Sequence, residues 1–575
     1  MFHEGNRANT FSPVTKMLNN FRSLVLVAVL SSTQVSGSAY LRFDRAAYEA
    51  SSFVGVSTSA VFPVPNATNA ASEYDSYFPD ATQVGYPGPT PTGDEAELIA
   101  TATSVPKVSD YSPLLNPSTQ DNKTSFNVLR SFGNLAPMFS VDSLGLPDAN
   151  ELIPEGCELN QVHLLHRHGA RYPTSTSPPA KFAARLHSAV VNGTGFTAKG
   201  DLDFLNTWSY KLGAELLTPF GRQQLFDLGV SFRIKYGELL KKFTGLPVFR
   251  TTSEEHMVQS AQNFAAGFFG IPQFLTDYRQ VITVEVNDVH NNNTLNAICS
   301  NSGKAGVGDT GTNAQNAWAD IYLQDALQRL QPQIEGFNLT ITDLIGMQTT
   351  CAYETVALGT SAFCDLFTEE EFKGLSYFFD LQFWYANGPG SATSAATGIG
   401  YVQELVSRLT KTTITVHNST TNSTITENPI LFPLDQPIFV DASHDTNMAS
   451  ILVALNFTSF GEGGPLPTDH IPENQTYFVN TIAPFSAQYV AQVLSCPASS
   501  SPTHIRWLVN DAVVPLTGIS GCPENKDGLC PIETFIEAMQ TRLGEVDFNY
   551  ACNGNYTIAD PYNIVDGLPP ADQRP

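Results

Sequence analysis

Two guanidinium groups and an imidazole lie within five residues in the segment Arg167 to Pro173, whose sequence is RHGARYP. Arginine side chains hold phosphate oxygens through paired hydrogen bonds, and a glycine lets the backbone approach a ligand closely. A neutral histidine nitrogen can attack phosphorus. These residue types at this spacing indicate phosphoryl transfer, with His168 as the nucleophile and Arg167 and Arg171 as ligands of the phosphate.

A second segment, Ser443-His444-Asp445, offers a further imidazole and a carboxyl group. A histidine beside an aspartate is common as a buried structural pair, so the residue types alone say little. Both segments, however, follow apolar stretches that predict strands, and open α/β sheets bind ligands beyond the carboxyl ends of their strands. The two loops are therefore expected to face one crevice, where Asp445 could protonate a leaving alcohol.

The three histidines His163, His166 and His168 raise the alternative of a zinc site. Side chains alternate along a strand, so His163 should point away from the face that carries the other two. No second group of metal ligands is evident in the sequence, and zinc sites require three or four protein ligands. The sequence therefore predicts neither a metal nor a cofactor.

The surrounding elements predict an α/β protein with a mainly parallel sheet flanked by helices. Gln161 to Leu165 is a strand candidate that leads into the RHGARYP loop, and Ile438 to Val440 is another that ends at Ser443. The helical stretches around 194–236 and 313–385 are too long for simple crossovers. They predict an inserted, mostly helical subdomain.

Several helix starts are predicted from capping residues. Thr218 precedes Pro219, which is favoured in a first turn. Ser253 is expected to cap a helix that carries His256 in its first turn, and Thr368 with Glu371 forms a capping box.

The composition divides the chain into three parts. The run LVLVAVL from Leu24 to Leu30 follows basic residues and precedes small polar ones, which is typical of a signal peptide and assigns it to residues 1–37. The run is too short to cross about 30 Å of hydrocarbon, so no stable membrane span is expected. Residues 38–121 are rich in Pro, Ser and Thr and predict a flexible linker, and residues 122–575 hold the catalytic region.

The charge balance excludes some classes of partner. The chain has 55 acidic and 30 basic residues, a net charge of −25. Such a surface repels nucleic acid and anionic membranes. The predicted partner is a small phosphorylated substrate, and the sequence specifies no oligomeric state.

Sequons and cysteines indicate a secreted protein that passes through an oxidising compartment. The predicted glycosylation sites are Asn66, Asn122, Asn192, Asn292, Asn338, Asn418, Asn422, Asn456, Asn474 and Asn555. The eight cysteines contain no CxxC pair, which favours four disulfides over a metal site. Spacing alone leaves roughly a hundred pairings open.

Taken together, the motifs resemble those of the histidine acid phosphatases, and within them the branch of fungal phytases and acid phosphatases with a phosphoglycerate-mutase-like fold. The resemblance covers residues 127–558. It rests on PEGC from Pro154, RHGARYPT from Arg167, LTPFGR from Leu217, the stretch from Arg250 to Phe268, GIGYVQELVSRL from Gly398 and SHDTNM from Ser443.

The resemblance implies a sheet domain beside a helical domain, with an active site between them that uses no metal. It implies that His168 becomes phosphorylated, while Arg167, Arg171 and His444 hold the phosphoryl oxygens. Asp445 would protonate the leaving group and later activate water. The implied disulfides are Cys157–Cys496, Cys299–Cys552, Cys351–Cys364 and Cys522–Cys530.

One position departs from the family pattern. The family places a phosphate-binding arginine eight residues before the phenylalanine that corresponds to Phe264, and this chain has His256 there. Either Arg250 substitutes for it, or His256 binds phosphate when protonated in acid, since an ordinary histidine pKa lies near 6.5. The alternative is a weakened site in a secreted binding protein that retains the phosphatase fold.

The sequence therefore predicts a secreted, metal-independent acid phosphomonoesterase. Phytate carries many negative charges and calls for several basic residues around the pocket. The stretch 174–184 after the motif offers only Lys181. A broad phosphatase with phytate as a secondary substrate is expected.

Overall fold

The computed structural model describes residues 76–93, 126–193, 195–285, 292–497, 499 and 503–575. The predicted signal peptide and the sequons at Asn66 and Asn122 lie outside these residues. The strands are β1 Glu158–Arg167, β2 Thr197–Ala198, β3 Val248–Thr252, β4 Arg279–Thr283, β5 Ile334–Glu335, β6 Ile438–Ser443, β7 Gln488–Ser495, β8 Thr503–Val509, β9 Ala512–Val513 and β10 Cys530–Pro531. The α-helices are α1 Ala81–Val84, α2 Pro178–Asn192, α3 Pro219–Tyr236, α4 Glu255–Phe269, α5 Thr310–Tyr322, α6 Gln324–Leu330, α7 Ile341–Leu358, α8 Glu369–Ala386, α9 Ser394–Thr410, α10 Ser423–Thr426, α11 Asp445–Ala454, α12 Val479–Ile482, α13 Ile532–Glu545 and α14 Phe548–Asn553.

The main sheet is mixed, which refines the predicted α/β class. Its order is β10-β8-β7-β1-β6-β3-β4, and β9 pairs with β8. The strands from β1 through β6 and β3 to β4 are parallel, whereas β7 pairs antiparallel with β1 and leads into an antiparallel half. The prediction of a parallel sheet therefore holds for one half of the observed sheet. This half contains β1 and β6, which lead into the RHGARYP and Ser443-His444-Asp445 segments.

Apolar side chains on both faces bury the parallel strands. On one face, residues of β1 and β6 pack with Leu225 and Phe232 of α3 and Phe264 of α4. Helix α3 lies within the stretch 194–236, which the sequence predicts to belong to the helical insertion. In the structure this helix packs on the sheet. A larger apolar cluster joins the helices from α5 to α9 with the opposite face.

The predicted helix starts hold with one exception. Thr218 accepts a hydrogen bond from the backbone of Gly221, and Thr368 forms the expected capping box. Ser253 does not cap α4, whose N-cap residue is Glu254. The Ser253 hydroxyl is engaged elsewhere, because it accepts a hydrogen bond from the backbone of Glu285.

Part of the predicted linker is structured and makes fixed contacts. Residues 76–93 include α1, which is closed by a capping box between Asp80 and Gln83. Thr92 forms a β-bridge with Ala214. The Pro87 carbonyl accepts a hydrogen bond of 2.5 Å from the Ser253 hydroxyl. The expectation of few fixed contacts is therefore wrong for this segment, because composition does not reveal a tertiary partner.

The four disulfides that the resemblance implied are present. They are Cys157–Cys496, Cys299–Cys552, Cys351–Cys364 and Cys522–Cys530. Among the described residues, no helix is both long and apolar enough to span a bilayer.

Candidate active site

The RHGARYP loop and the Ser443-His444-Asp445 segment meet at one edge of the sheet. Strands β1 and β6 run parallel, with Arg167 paired to Ser443, so His168 and His444 leave the sheet side by side. Their ring centroids are 5.7 Å apart. The ring of His256, on the first turn of α4, lies 4.6 Å from His168 and 5.6 Å from His444. The site residues predicted from separate segments therefore converge.

Glycine is required where the loop meets helix α3. A Cβ atom on Gly169 would lie 2.2 Å from the Gly221 carbonyl oxygen, and one on Gly221 would lie 1.9 Å from the oxygen of Ala170. Both distances are far inside van der Waals contact. The two glycines let the start of α3 pack directly on the loop that carries His168.

The tautomer of His168 follows from its hydrogen bond. Nδ1 lies 2.8 Å from the carbonyl oxygen of Gly169, which can only accept, so Nδ1 carries the proton. Nε2 then has a free lone pair. Burial, reinforced by the charge of Arg167 and by Arg171 and His444, lowers the pKa of His168 well below 6.5. This shift favours the neutral, nucleophilic form of the ring.

Arg167 and Asp445 form a tight pair at the base of the site. Arg167 is 2% exposed, and its Nη2 is 2.6 Å from Oδ2 of Asp445. The same carboxylate oxygen accepts a hydrogen bond of 2.8 Å from the amide of Asn134. Burial alone would raise the pKa of Asp445, but Arg167 and Asn134 hold it below its usual range. The free site thus contains an ionised Asp445.

Arg171 points into the same crevice and has its own carboxylate. Its Nη1 lies 3.2 Å from Oε2 of Glu215, and it donates to the Tyr172 carbonyl at 2.8 Å. Burial would lower the pKa of Arg171, but the nearby acidic groups, including Glu215, raise it overall. The guanidinium is permanently charged and held in position.

His444 is held in its charged form by Glu285. Its Nε2 lies 3.0 and 3.2 Å from the two carboxylate oxygens. Burial alone would lower the pKa of His444, but Glu285, helped by Glu254 and Asp445, raises it to about 9. His444 is consequently an imidazolium throughout acidic and neutral pH.

His256 lies in the predicted place, but its surroundings disfavour the predicted positive charge. It is 1% exposed, and its Nε2 lies 3.3 Å from Oε2 of Glu254. Burial, together with Arg171, His444 and Arg167, lowers the pKa of His256 well below 6.5. This shift disfavours the imidazolium that an ordinary pKa would give His256 in mild acid.

Arg250 is not available to replace the missing arginine. Its side chain is 4% exposed and bonds to Asp441 at 2.6 Å and to Glu404 at 2.8 Å. Arg408 reaches the same aspartate at 2.5 Å. This buried network ties β3 to β6 and to α9. The suggestion that Arg250 substitutes at position 256 is therefore wrong.

The histidines considered for zinc do not cluster. His163 stacks on Phe439 at 4.6 Å, and His166 stacks on Phe264 at 5.4 Å. Neither belongs to any group of metal-ligating side chains within the described residues.

Sequence reasoning missed the acidic partners Glu215, Glu254 and Glu285, as well as Asn134. Glu285 lies two residues beyond β4, so the rule that sites gather at the carboxyl ends of parallel strands could have found it. Asn134 stands 311 residues from Asp445, and no local signal joins them.

Known proteins resemble this chain over most of its length. A sequence model of the histidine phosphatase superfamily (branch 2) matches residues 158–510. Phytase A of Aspergillus fumigatus is 33% identical over 423 residues, which cover 71% of this chain and 87% of the relative. Phytase A of Aspergillus oryzae is 30% identical over 459 residues, which cover 77% and 94%.

A solved structure is similar in fold. The phytase from D. castellii aligns with a TM-score of 0.60 and 25% identity, covering 77% of this chain and 92% of that chain. The residues matched by the family model include both converging loops and His256.

Proposed function

Because the chain belongs to branch 2 of the histidine phosphatase superfamily, we propose that it hydrolyses phosphate monoesters through a phosphohistidine formed on His168. One observation carries the proposal. The hydrogen bond from Nδ1 to the Gly169 carbonyl leaves the Nε2 lone pair of a buried neutral imidazole beside Arg167, Arg171 and His444. A nucleophile among three cations suits an anionic phosphate.

In the first step, Nε2 of His168 attacks phosphorus as the bond to the ester oxygen breaks. The two arginines and His444 bind the phosphoryl oxygens, whose charge spreads in the transition state. The leaving alkoxide takes a proton from Asp445. In the second step, the Asp445 carboxylate accepts a proton from water as the water attacks phosphorus, and the N–P bond breaks to return neutral His168.

Proton donation requires that Asp445 gain a proton when substrate binds. Its pKa is low in the free site because Arg167 pairs with it at 2.6 Å. A bound phosphate competes for that guanidinium and places negative charge beside the carboxyl group. Both effects raise the pKa of Asp445. This coupling supports activity in acid without any metal ion.

The relatives are named phytases, but the charges around this site support simple monoesters as better substrates. Each basic side chain of the site lies against a carboxylate, with Glu215 and Glu285 as examples. Lys181, the basic residue noted after the motif, is exposed at the start of α2. These ion pairs leave no excess positive charge for the further phosphates of a hexakisphosphate. We therefore propose a broad phosphatase with phytate as a secondary substrate.

The decisive experiment is hydrolysis of p-nitrophenyl phosphate by the purified full chain from pH 3 to 8, with acid-labile phosphoprotein measured by rapid quench. We expect turnover in acid and a trapped phosphohistidine, both abolished in His168→Ala. The exposed His470 provides a matched control, His470→Ala. A folded protein without turnover would refute the proposal and favour a binding function.

We also propose that the protein is secreted. Four disulfides within one chain are typical of an oxidising compartment. Sequons that lie on the exposed surface are Asn192, Asn338, Asn418, Asn474 and Asn555. Expression in a secreting host, followed by mass measurement before and after deglycosylation, tests this placement.

A further inference from the structure

Three imidazoles face one another in the candidate active site. One ring nitrogen from each of His168, His256 and His444 lies within 4.8 Å of the other two. Glu254 extends this group, since its carboxylate belongs to two further sets of the same compactness, one with His256 and one with His444. Imidazole nitrogens with a carboxylate are the ligand types that zinc prefers in tetrahedral sites.

The ring of His256 is buried and poorly hydrogen-bonded. It is 1% exposed, and neither Nδ1 nor Nε2 has a well-aligned hydrogen-bond partner among the described residues, although the backbone of Glu215 lies close enough to oppose the lowering of its pKa by burial. The Glu254 carboxylate lies 3.3 Å from Nε2 but out of line for a hydrogen bond. Buried polar atoms in native proteins nearly always have a partner, and an unpartnered one signals a missing ligand. A ring nitrogen that lacks an aligned hydrogen bond can donate its lone pair to a metal ion.

The local charge permits a divalent cation. Arg167 and Arg171 are neutralised by Asp445 and Glu215, which lie 2.6 and 3.2 Å away. Glu254 and Glu285 add carboxylates beside the imidazoles. An arginine at position 256 would add a positive charge and remove one ligand, so a histidine at this position favours a metal ion.

We propose that His168, His256 and His444, with Glu254 as the fourth ligand, bind one Zn²⁺ ion that inhibits the enzyme. Tetrahedral zinc places its ligand atoms about 3.3 Å apart, so the imidazole nitrogens must approach one another by at most about 1.5 Å. When the ion binds, it displaces the proton on Nε2 of His444 that is hydrogen-bonded to Glu285, and this proton is released to solvent.

Zinc would inhibit the enzyme because one of its ligands, His168, is the proposed nucleophile. The lone pair of His168 Nε2 cannot bond to zinc and attack phosphorus at the same time. The ion also occupies the space between the residues proposed to hold phosphate, so zinc and inorganic phosphate compete. Zinc binding itself is independent of the proposed reaction, whereas its inhibitory effect rests on it.

Binding is tested by equilibrium dialysis of the full chain against buffered ZnCl₂ at pH 7.5, where Glu254 is ionised, with the metal content measured by mass spectrometry. We expect one zinc per chain, displaced by millimolar inorganic phosphate. His256→Arg and His256→Asn should each weaken binding about tenfold or more. The control His470→Arg, at an exposed histidine, should bind as the parent does.

Several results would overturn the assignment. They are the absence of bound zinc at 100 micromolar, retention of zinc by both His256 variants, and binding that phosphate does not weaken. Melting temperatures of the variants establish that they are folded, and the asparagine variant serves if arginine does not fit. Zinc bound as expected by a protein without phosphatase activity would leave this site standing and refute the proposed function.

Discussion

Replacing Glu285 with glutamine should convert His444 from a permanent cation into a titrating one. The carboxylate lies 3.0 Å from Nε2 and is the chief reason that the pKa of His444 reaches about 9 against the effect of burial. Glutamine keeps the shape and one hydrogen bond but removes the charge. Without the carboxylate, the pKa should fall to 6.5 or below.

The size of the effect follows from that shift. With a pKa of about 6.5, roughly a quarter of His444 would be charged at pH 7 and about a tenth at pH 7.5. We expect kcat/KM of Glu285→Gln to match the parent near pH 5, and to fall about fourfold at pH 7 and tenfold at pH 7.5. Any further lowering by burial would enlarge the loss.

The assay is the ratio of kcat/KM for variant and parent with p-nitrophenyl phosphate from pH 4.5 to 8. Glu255→Gln, at a partly exposed neighbouring position on α4, is the matched control and should give a flat ratio near one. A ratio for Glu285→Gln that does not depend on pH would refute the reasoning, because the variant would then act through structure and not through the charge of His444.

The interaction between His444 and Glu285 also leads to a second, independent prediction, which concerns the stability of the fold. A histidine whose folded pKa is raised stabilises the fold fully below its unfolded value and less as pH rises through the folded value. Between about 6.5 and 9 the parent should lose about 3 kcal/mol of unfolding free energy from His444. In Glu285→Gln, urea unfolding should show little of this decline over the same pH range.

Three further outcomes are expected. Asp445→Asn should slow an alkyl phosphate by about 10² or more and p-nitrophenyl phosphate far less, since an acidic leaving group needs no proton; equal slowing would remove Asp445 as the donor. His256→Arg should raise kcat/KM by a similar factor from pH 4 to 7, because the pKa of His256 is low throughout; a gain only above pH 6 would contradict this. His163→Phe should preserve the stack on Phe439 and stabilise the fold by about 3 kcal/mol more at pH 4 than at pH 7. The reason is that burial lowers the pKa of His163 to about 3, so the native state resists its protonation in acid. Equal changes of the urea midpoint at the two pH values would argue against this.

The sequence predicted what local patterns encode. Strand β1 leads directly into the RHGARYP motif, and β6 leads in the same way into Ser443-His444-Asp445, so their parallel placement and the meeting of His168 with His444 follow from the sequence pattern. Capping chemistry located α3 through Thr218. These features depend on neighbours within a few residues.

Other features depend on partners that are distant in the chain. The antiparallel pairing of β7 with β1 follows from tertiary packing, and the apolar composition of β7 suits either direction. Residues 76–93 read as a linker because their composition is polar and proline-rich, yet Pro87 bonds to Ser253 across 166 residues. The charge state of His256 likewise depends on burial, which no motif reports.

The acid preference expected of this site arises from its carboxylates and not from His256. Burial, together with Glu285 and Glu215 and against the pull of His444 and Arg171, raises the pKa of Glu254 to about 7. Glu254 therefore loses its negative charge as pH falls below neutrality, while His444 remains charged. Since an anionic substrate is repelled by each ionised carboxylate, acid makes the crevice more attractive to phosphate. Histidine in place of arginine at position 256 is thus compatible with an acid-favouring site, because the group that titrates near neutrality is Glu254.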